Sequence, residues 1–452
     1  MVKYKIEKER LLFDNKALAA LIIPLIIEQL LAVFVGMADS IMVASVGEAA
    51  VSGVSLVDNI MILFINAFAA LATGGAVIAG QYLGQKNEKE SCKAATQMIW
   101  FITILSLIIM GCLYLAKWFI LHVVFGQIDA DVMTHANTYL LIVTASIPFI
   151  ALYNGGAAIF RVMGNSKVSM QVSIIMNVIN VTGNAVLIFG FHRGTEGVAI
   201  PTLVSRIIAA VLIIGLLAQE KRIIHIEKSL RYRPDWRMIK RVLGIGIPNG
   251  LENSMFQLGK IIVLSLVSTF GTYAIAANAV SNAVANFQIL PGMAINLAIT
   301  AVIARCVGAG DYEQVQYFTK KLIKLAYLCM WAVNILIFFL LPLILWAYNL
   351  SDITAEMTRK ILYFHSISCM LIWPISFSLP STLRAAGDAA VTMVIALVSM
   401  WIFRIVFSYV LGGYLKMGVF GIWVAMVIDW CVRSICMSIR YKSGKWKLIR
   451  SI

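Results

Sequence analysis

Acidic side chains inside apolar segments are the residues of this chain best able to do chemistry. The stretch EQLLAVFVGMAD holds Glu28 and Asp39, with Gln29 the one other polar residue between them. Eleven positions apart, at 100° per residue, the two acids return to nearly the same helix face about 16 Å along the axis. A carboxylate kept from water is costly unless something positive accompanies it. A proton, Na⁺ or an organic cation can each fill that role, and they compete. Competition for one group, joined to two access states, gives exchange, because each ligand shifts the states only by its differential affinity.

A longer polar face follows later. Asn249, Glu252, Asn253, Gln257 and Lys260 are separated by steps of three and four, which places all five on one side of a helix. Ser52, Asn59, Asn66 and Thr73 recur every seventh residue, with Asp58 beside Asn59. Asn278, Asn282 and Asn286 form a similar stripe, as do Asn177, Asn180 and Asn184. Single Asn or Ser residues in a span read as hydrogen-bonding glue between helices. Stripes that include carboxylates read instead as the lining of a hydrated chamber. Asp429 and Arg433, four apart, read as a structural ion pair.

The elements that must position these residues are membrane helices. Of 452 residues, 61% are hydrophobic and 13% charged, where a soluble chain carries about 25% charged residues. Polar breaks leave twelve spans with approximate limits 17–45, 50–82, 94–124, 132–160, 168–191, 196–219, 238–268, 273–306, 316–348, 355–383, 389–414 and 417–440. Each is long enough to cross a hydrocarbon core that needs about 20 apolar residues. The fold class is therefore an all-α polytopic membrane protein. Eight of the nine prolines fall within spans, where they predict kinks. The seven cysteines are scattered, and their spacing suggests neither a disulfide framework nor a zinc site.

An even number of spans puts both termini on one side. That side holds 28 of the 37 basic residues, the opposite side four, and the spans themselves five. Excess positive charge marks the cytoplasmic face, so both termini are expected there, in a bacterial-type inner membrane. The net charge of +15 is then a topology signal and an attraction to anionic lipid. Nucleic acid is excluded as a partner because no loop is long enough to fold into a binding domain. The charged N-terminus does not have the form of a cleavable signal peptide.

The chain also repeats itself. A shift of 224 residues brings Pro24 onto Pro248, Glu28 onto Glu252, Gly47 onto Gly271 and Gly84 onto Gly308 without a gap. The offset then slips by one, so that FRVMGNS around Arg161 matches LRAAGDA around Arg384, before Gly197 pairs with Gly421. Two six-helix bundles in the same orientation imply a pseudo-two-fold axis along the membrane normal and a central site between them. The expected divisions are a cytoplasmic segment 1–16, lobes 17–219 and 238–440, a basic linker 220–237 and a cytoplasmic tail 441–452.

Pro24 with ADSIMVASVG, the loop GQYLGQKN, FRVMGNSKVSM, NVINVTGNAVLIFG followed by GVAIPTLVSR, and the echoes GIPNGLE and RAAGDAAVTM together resemble the multidrug and toxic compound extrusion (MATE) family. The resemblance implies two lobes opening alternately to each side, and export of organic, often cationic, compounds against inflow of H⁺ or Na⁺. It also implies a coupling-cation site at Asp39, Asn180, Asn184 and Thr202, with Asn184 standing where many members carry an acid. One carboxylate in that set favours H⁺, with Na⁺ as the metal it would take. Substrate or relayed protons are expected at Glu28, Glu252, Asn249, Asn253, Gln257, Lys260, Asp58, Asn59, Asn278 and Asn282. Asp388 resembles a family loop acid and reads as a turn residue.

The resulting expectation is a monomeric secondary antiporter for organic, cationic or amphipathic compounds, with no cofactor beyond the coupling ion. A flippase for lipid-linked oligosaccharides is the alternative; Lys260 and Arg206 favour it and the acids in the spans oppose it. An intramembrane enzyme is disfavoured because no HExxH, aspartate pair or Ser/His constellation occurs in the spans.

Overall fold

The computed structural model describes residues 11–126, 128–227 and 233–449. Among them the secondary structure is helical throughout. The first lobe consists of α1 (Asn15–Ala44), α2 (Glu48–Gly84), α3 (Glu88–Leu115), α4 (Ala130–Thr144 with Ile147–Val162), α5 (Ser166–Gly190) and α6 (Glu196–Leu217). The second consists of α7 (Trp236–Ser268), α8 (Thr272–Gly308), α9 (Tyr312–Ala347), α10 (Asp352–Leu371 with Pro374–Ala385), α11 (Ala389–Tyr414) and α12 (Gly418–Lys442). The protein is a multi-pass membrane protein of twelve helices in two six-helix lobes. Nine of the helices, and the two bent pairs α4 and α10, are long and apolar enough to cross a bilayer. The remaining one, α7, is 33 residues long and carries the polar stripe.

The two bends were not apparent as breaks in the sequence. α4 turns by 48° before Ile147 and α10 by 59° before Pro374. Pro148 and Pro374 sit in the first turn of the segment that follows, where a missing N–H costs nothing. Pro380 likewise opens a segment. These three prolines start helices; Pro24, Pro201, Pro248, Pro291 and Pro342 lie inside them. Wide π-type turns occur at Val186–Gly190 in α5 and at Met400–Val406 and Ser408–Tyr414 in α11.

Each lobe is built around its second helix. α2 packs on α3 and α4, and its repeat α8 packs on α9 and α10. Small residues allow this approach. A Cβ on Gly75 of α2 would lie 2.2 Å from the Sδ of Met98, and one on Gly292 of α8 would lie 2.1 Å from the ring of Trp373. The outer turns before α2 and α8 are also a repeated pair: Gly47 and Gly271 take φ of 138° and 96°, which a side chain would disfavour.

The compact units divide the chain differently from the linker boundary expected from sequence. One unit runs from Ala19 to Gly250 and the other joins the residues up to Leu18 with Leu251 onward. The start of α7 belongs with the first lobe because Lys93 pairs with Asp235 at 2.5 Å and Gln97 bonds the backbone of Arg233 and Asp235. Gly246 also meets Gly74 closely enough that no Cβ would fit on Gly74. The segment before α1 belongs with the second lobe because the Leu12 N–H donates to Gln314, Phe13 packs edge-on against Phe318, and Lys321 donates to Asn15 at 2.6 Å. Parts of the expected N-terminal segment (1–10), linker (228–232) and tail (450–452) lie outside the described residues.

Candidate functional site

Asp39 comes from α1, Asn180 and Asn184 from successive turns of α5, and Thr202 from α6. Pro201 fits into the notch left by Gly183, where an added Cβ would meet the proline ring at 2.7 Å. That close approach brings Thr202 level with the two asparagines. The Asn184 Nδ2 donates to Asp39 at 2.7 Å. With its amide oriented to suit its neighbours, Asn180 donates to Asp39 at 2.9 Å and accepts from the Thr202 hydroxyl at 3.0 Å. Asn180, Asn184 and Thr202 are buried and Asp39 is half-buried. The structure therefore brings together all four residues of the expected cation site.

Two features of this cluster suit a small cation. Asp39 makes no ion pair among the described residues, and its direct hydrogen bonds come from amide donors. The Oδ1 of Asn184 is a buried acceptor with no donor among the described residues. Carboxylate, amide and hydroxyl oxygens are the donor set of hard cations, and the carboxylate is equally a proton acceptor. Nearby in the same lobe, Tyr139 donates to Asp58 at 2.9 Å, and Arg206 donates to Ser146 at 2.7 Å.

Glu28 is placed differently from expectation. It is buried and committed: Arg161 pairs with it at 2.7 Å, Tyr153 donates at 3.2 Å and Ser169 donates at 3.1 Å. Glu252 repeats this in the second lobe, paired with Arg384 at 3.0 Å and with Arg433 at 3.9 Å. Both acids were expected to contact substrate or relay protons, and both are in ion pairs. A buried carboxylate is stable only when so satisfied. The pairing was missed although its members stood in plain view: Arg161 and Arg384 lie in the same repeated motif, and their repetition alongside repeated Glu28 and Glu252 was the signal.

Other expected contacts are dispersed. Asn249 falls in the unit ending at Gly250, while Asn253, Gln257 and Lys260 of the same stripe fall in the other. Asn278 is buried and accepts from the indole N–H of Trp423 at 3.1 Å, and Asn282 bonds the backbone of Asn278 at 2.8 Å. Asn59 is exposed and Asp58 half-buried. Asp429 and Arg433 pair at 3.6 Å, as their spacing predicts, and Asp388 precedes α11 in a turn, held by Arg440 at 2.7 Å.

Twelve helices in two repeated lobes, with polar clusters and ion pairs inside them, define a multi-pass membrane transporter. The MatE family model matches residues 24–186 and again 248–410, each half meeting the other at the offset read from the sequence. The chain belongs to this family, that of the MATE multidrug-efflux transporters. Among its relatives, "Uncharacterized transporter YisQ" of Bacillus subtilis is 29% identical, over 94% of this chain and 93% of its own. "Probable multidrug resistance protein NorM" of Thermotoga maritima is 23% identical, over 99% of this chain and 96% of its own. A solved outward-facing structure of a multidrug resistance MATE family transporter superposes with a TM-score of 0.89 at 20% identity, over 96% of this chain and 97% of that one.

Proposed function

We propose that the protein is a secondary antiporter that exports organic, cationic or amphipathic compounds in exchange for H⁺ or Na⁺. The observation that carries this reading is Asp39: a carboxylate inside a membrane lobe, ringed by Asn180, Asn184 and Thr202, in no ion pair among the described residues and with an unmet Asn184 acceptor beside it. A negative group so placed gains most from a small positive guest. The guest's site and the substrate's access are coupled if each favours a different lobe state. Glu28 and Glu252, satisfied by arginine, hold the lobes' architecture, and the α7 residues Asn253, Gln257 and Lys260 face the substrate. The chain works as a monomer in a bacterial inner membrane with both termini cytoplasmic, and needs no cofactor beyond the coupling ion. The acid in the first lobe favours this over the flippase reading, which wants a cationic groove throughout.

The test is efflux from vesicles holding the purified full chain, with Na⁺ and pH gradients imposed separately. Asp39→Asn should reduce gradient-driven transport to the level of empty vesicles. Undiminished coupling in that variant would remove Asp39 from the mechanism.

A further inference from the structure

Among the described residues, the span side chains of the second lobe left outside ion pairs include two cations, Lys260 and Arg404, where those of the first include the acids Asp39 and Asp58. On α7, Glu252, Phe256, Gly259 and Lys260 share one face. Gly259 lets this face approach α11 closely, since an added Cβ would lie 3.1 Å from the Sδ of Met400 and 3.5 Å from Ile405. The Nζ of Lys260 sits 5.1 Å from the centroid of the Phe256 ring, and the guanidinium carbon of Arg404 sits 4.9 Å from the same centroid. Two cations thus converge on one aromatic ring. Neither makes an ion pair among the described residues. The acids of this lobe are already engaged: Glu252 by Arg384 and Arg433, and Asp429 by Arg433 and by Ser399, whose hydroxyl donates at 2.5 Å. The Lys260 side chain is exposed.

Two like charges inside the spans, beside one phenyl ring and in no ion pair among the described residues, are poorly compensated. A ligand that brings negative charge to them relieves that cost. A planar oxyanion suits the guanidinium fork, and an ammonium adds a point charge beside it. The adjoining Phe256, Met400 and Ile405 would receive an apolar body.

We propose that Lys260 and Arg404, flanking Phe256, form an oxyanion-binding site for the negatively charged end of the exported compound. This rests on the antiporter reading above and narrows it: among amphipathic substrates, the lobe takes those bearing a carboxylate or a phosphate-type group. The N-lobe acid then serves the coupling cation and the C-lobe cations serve the substrate, so the two do not compete for one group.

The probes are pyrenebutyrate and its cationic twin, pyrenebutyl-trimethylammonium, which share a ring system and differ in charge. Binding is followed by fluorescence anisotropy to the full chain in phosphatidylcholine nanodiscs, without any gradient. The parent should bind the anion more tightly than the cation. Lys260→Gln should weaken anion binding about tenfold, as expected for loss of one charged contact, and Lys260→Arg should restore it. Arg404→Gln should weaken it similarly, but the Lys260 pair carries the test if that buried change impairs folding. Unchanged anion binding in Lys260→Gln, or preference of the parent for the cation, overturns the site. Competition by phosphatidylglycerol in the nanodisc would leave the oxyanion chemistry standing with a lipid headgroup as its source. Because binding is read without a gradient, its failure is separable from failure of coupling, which Asp39→Asn reports.

Discussion

The two lobes share a scaffold and differ in what it holds. The repeat gives each one a glutamate–arginine pair linking its first helix to the motif before its fifth: Glu28 with Arg161, and Glu252 with Arg384. It gives each a small-residue second helix and a glycine turn before it. The positions that carry chemistry have diverged. Counting 224 residues on from Asp39 arrives at Val263, so the acid of the first lobe has become apolar. In the second lobe the α11 residue beside Phe256 is instead the cation Arg404. The lesson is that ion pairs buried for architecture persist through a duplication while the neighbouring site changes sign.

Removing one arginine from each shared pair sharpens this most. Among the described residues Glu28 pairs with one arginine, whereas Glu252 has Arg433 in reserve at 3.9 Å. Arg161→Ala should therefore cost about 3 kcal/mol or more, and Arg384→Ala clearly less, read as the loss of thermal stability of each purified variant. Equal losses would deny that the second arginine compensates. Next, Asn184→Asp adds a second carboxylate to the first lobe's cluster and should raise Na⁺ affinity about tenfold, measured by Na⁺-dependent stabilisation at neutral pH.

The smallest effect concerns the anchors of α7 and α1. Lys93 holds Asp235 by a hydrogen bond that keeps its carboxyl below the usual carboxylate range; the counterpart, Lys321 with Asn15, has no titrating acceptor. A depressed carboxylate contributes stability above its unfolded pKa of about 3.9 and loses it as pH falls through the folded value. Asp235→Asn should lower stability by about 0.5 kcal/mol at pH 7, with the difference from the parent vanishing in acid. Asn15→Ala should show a difference with no such acid limb. Thermal melts across pH distinguish the two.

The architecture was legible because hydropathy and a fixed offset are properties of the chain alone. Pro24 with Pro248 and Gly84 with Gly308 needed no contact to be seen. The cluster around Asp39 was legible through family resemblance and not through spacing, because Asn184 lies 145 positions from Asp39 and nothing local announces their hydrogen bond. The bend before Pro374 and the division of α7 at Gly250 were hidden because they depend on packing partners distant in sequence. The pairing of Glu28 with Arg161 escaped for a different reason: each was noticed, but in separate motifs.

The wide turns of α11 have a consequence for how such a molecule diverges. Arg161 and Gly197 are separated by one residue fewer than their counterparts Arg384 and Gly421, and α11, with two successive π-type stretches against one in α5, can house the surplus without breaking. A residue taken up in such a wide turn leaves the helix beyond it on its former face. A single codon gained within 400–414 therefore re-aims the side chains of the bulge alone, a local edit that one copy can make while its flanking turns, and the whole of the other copy, stay in place.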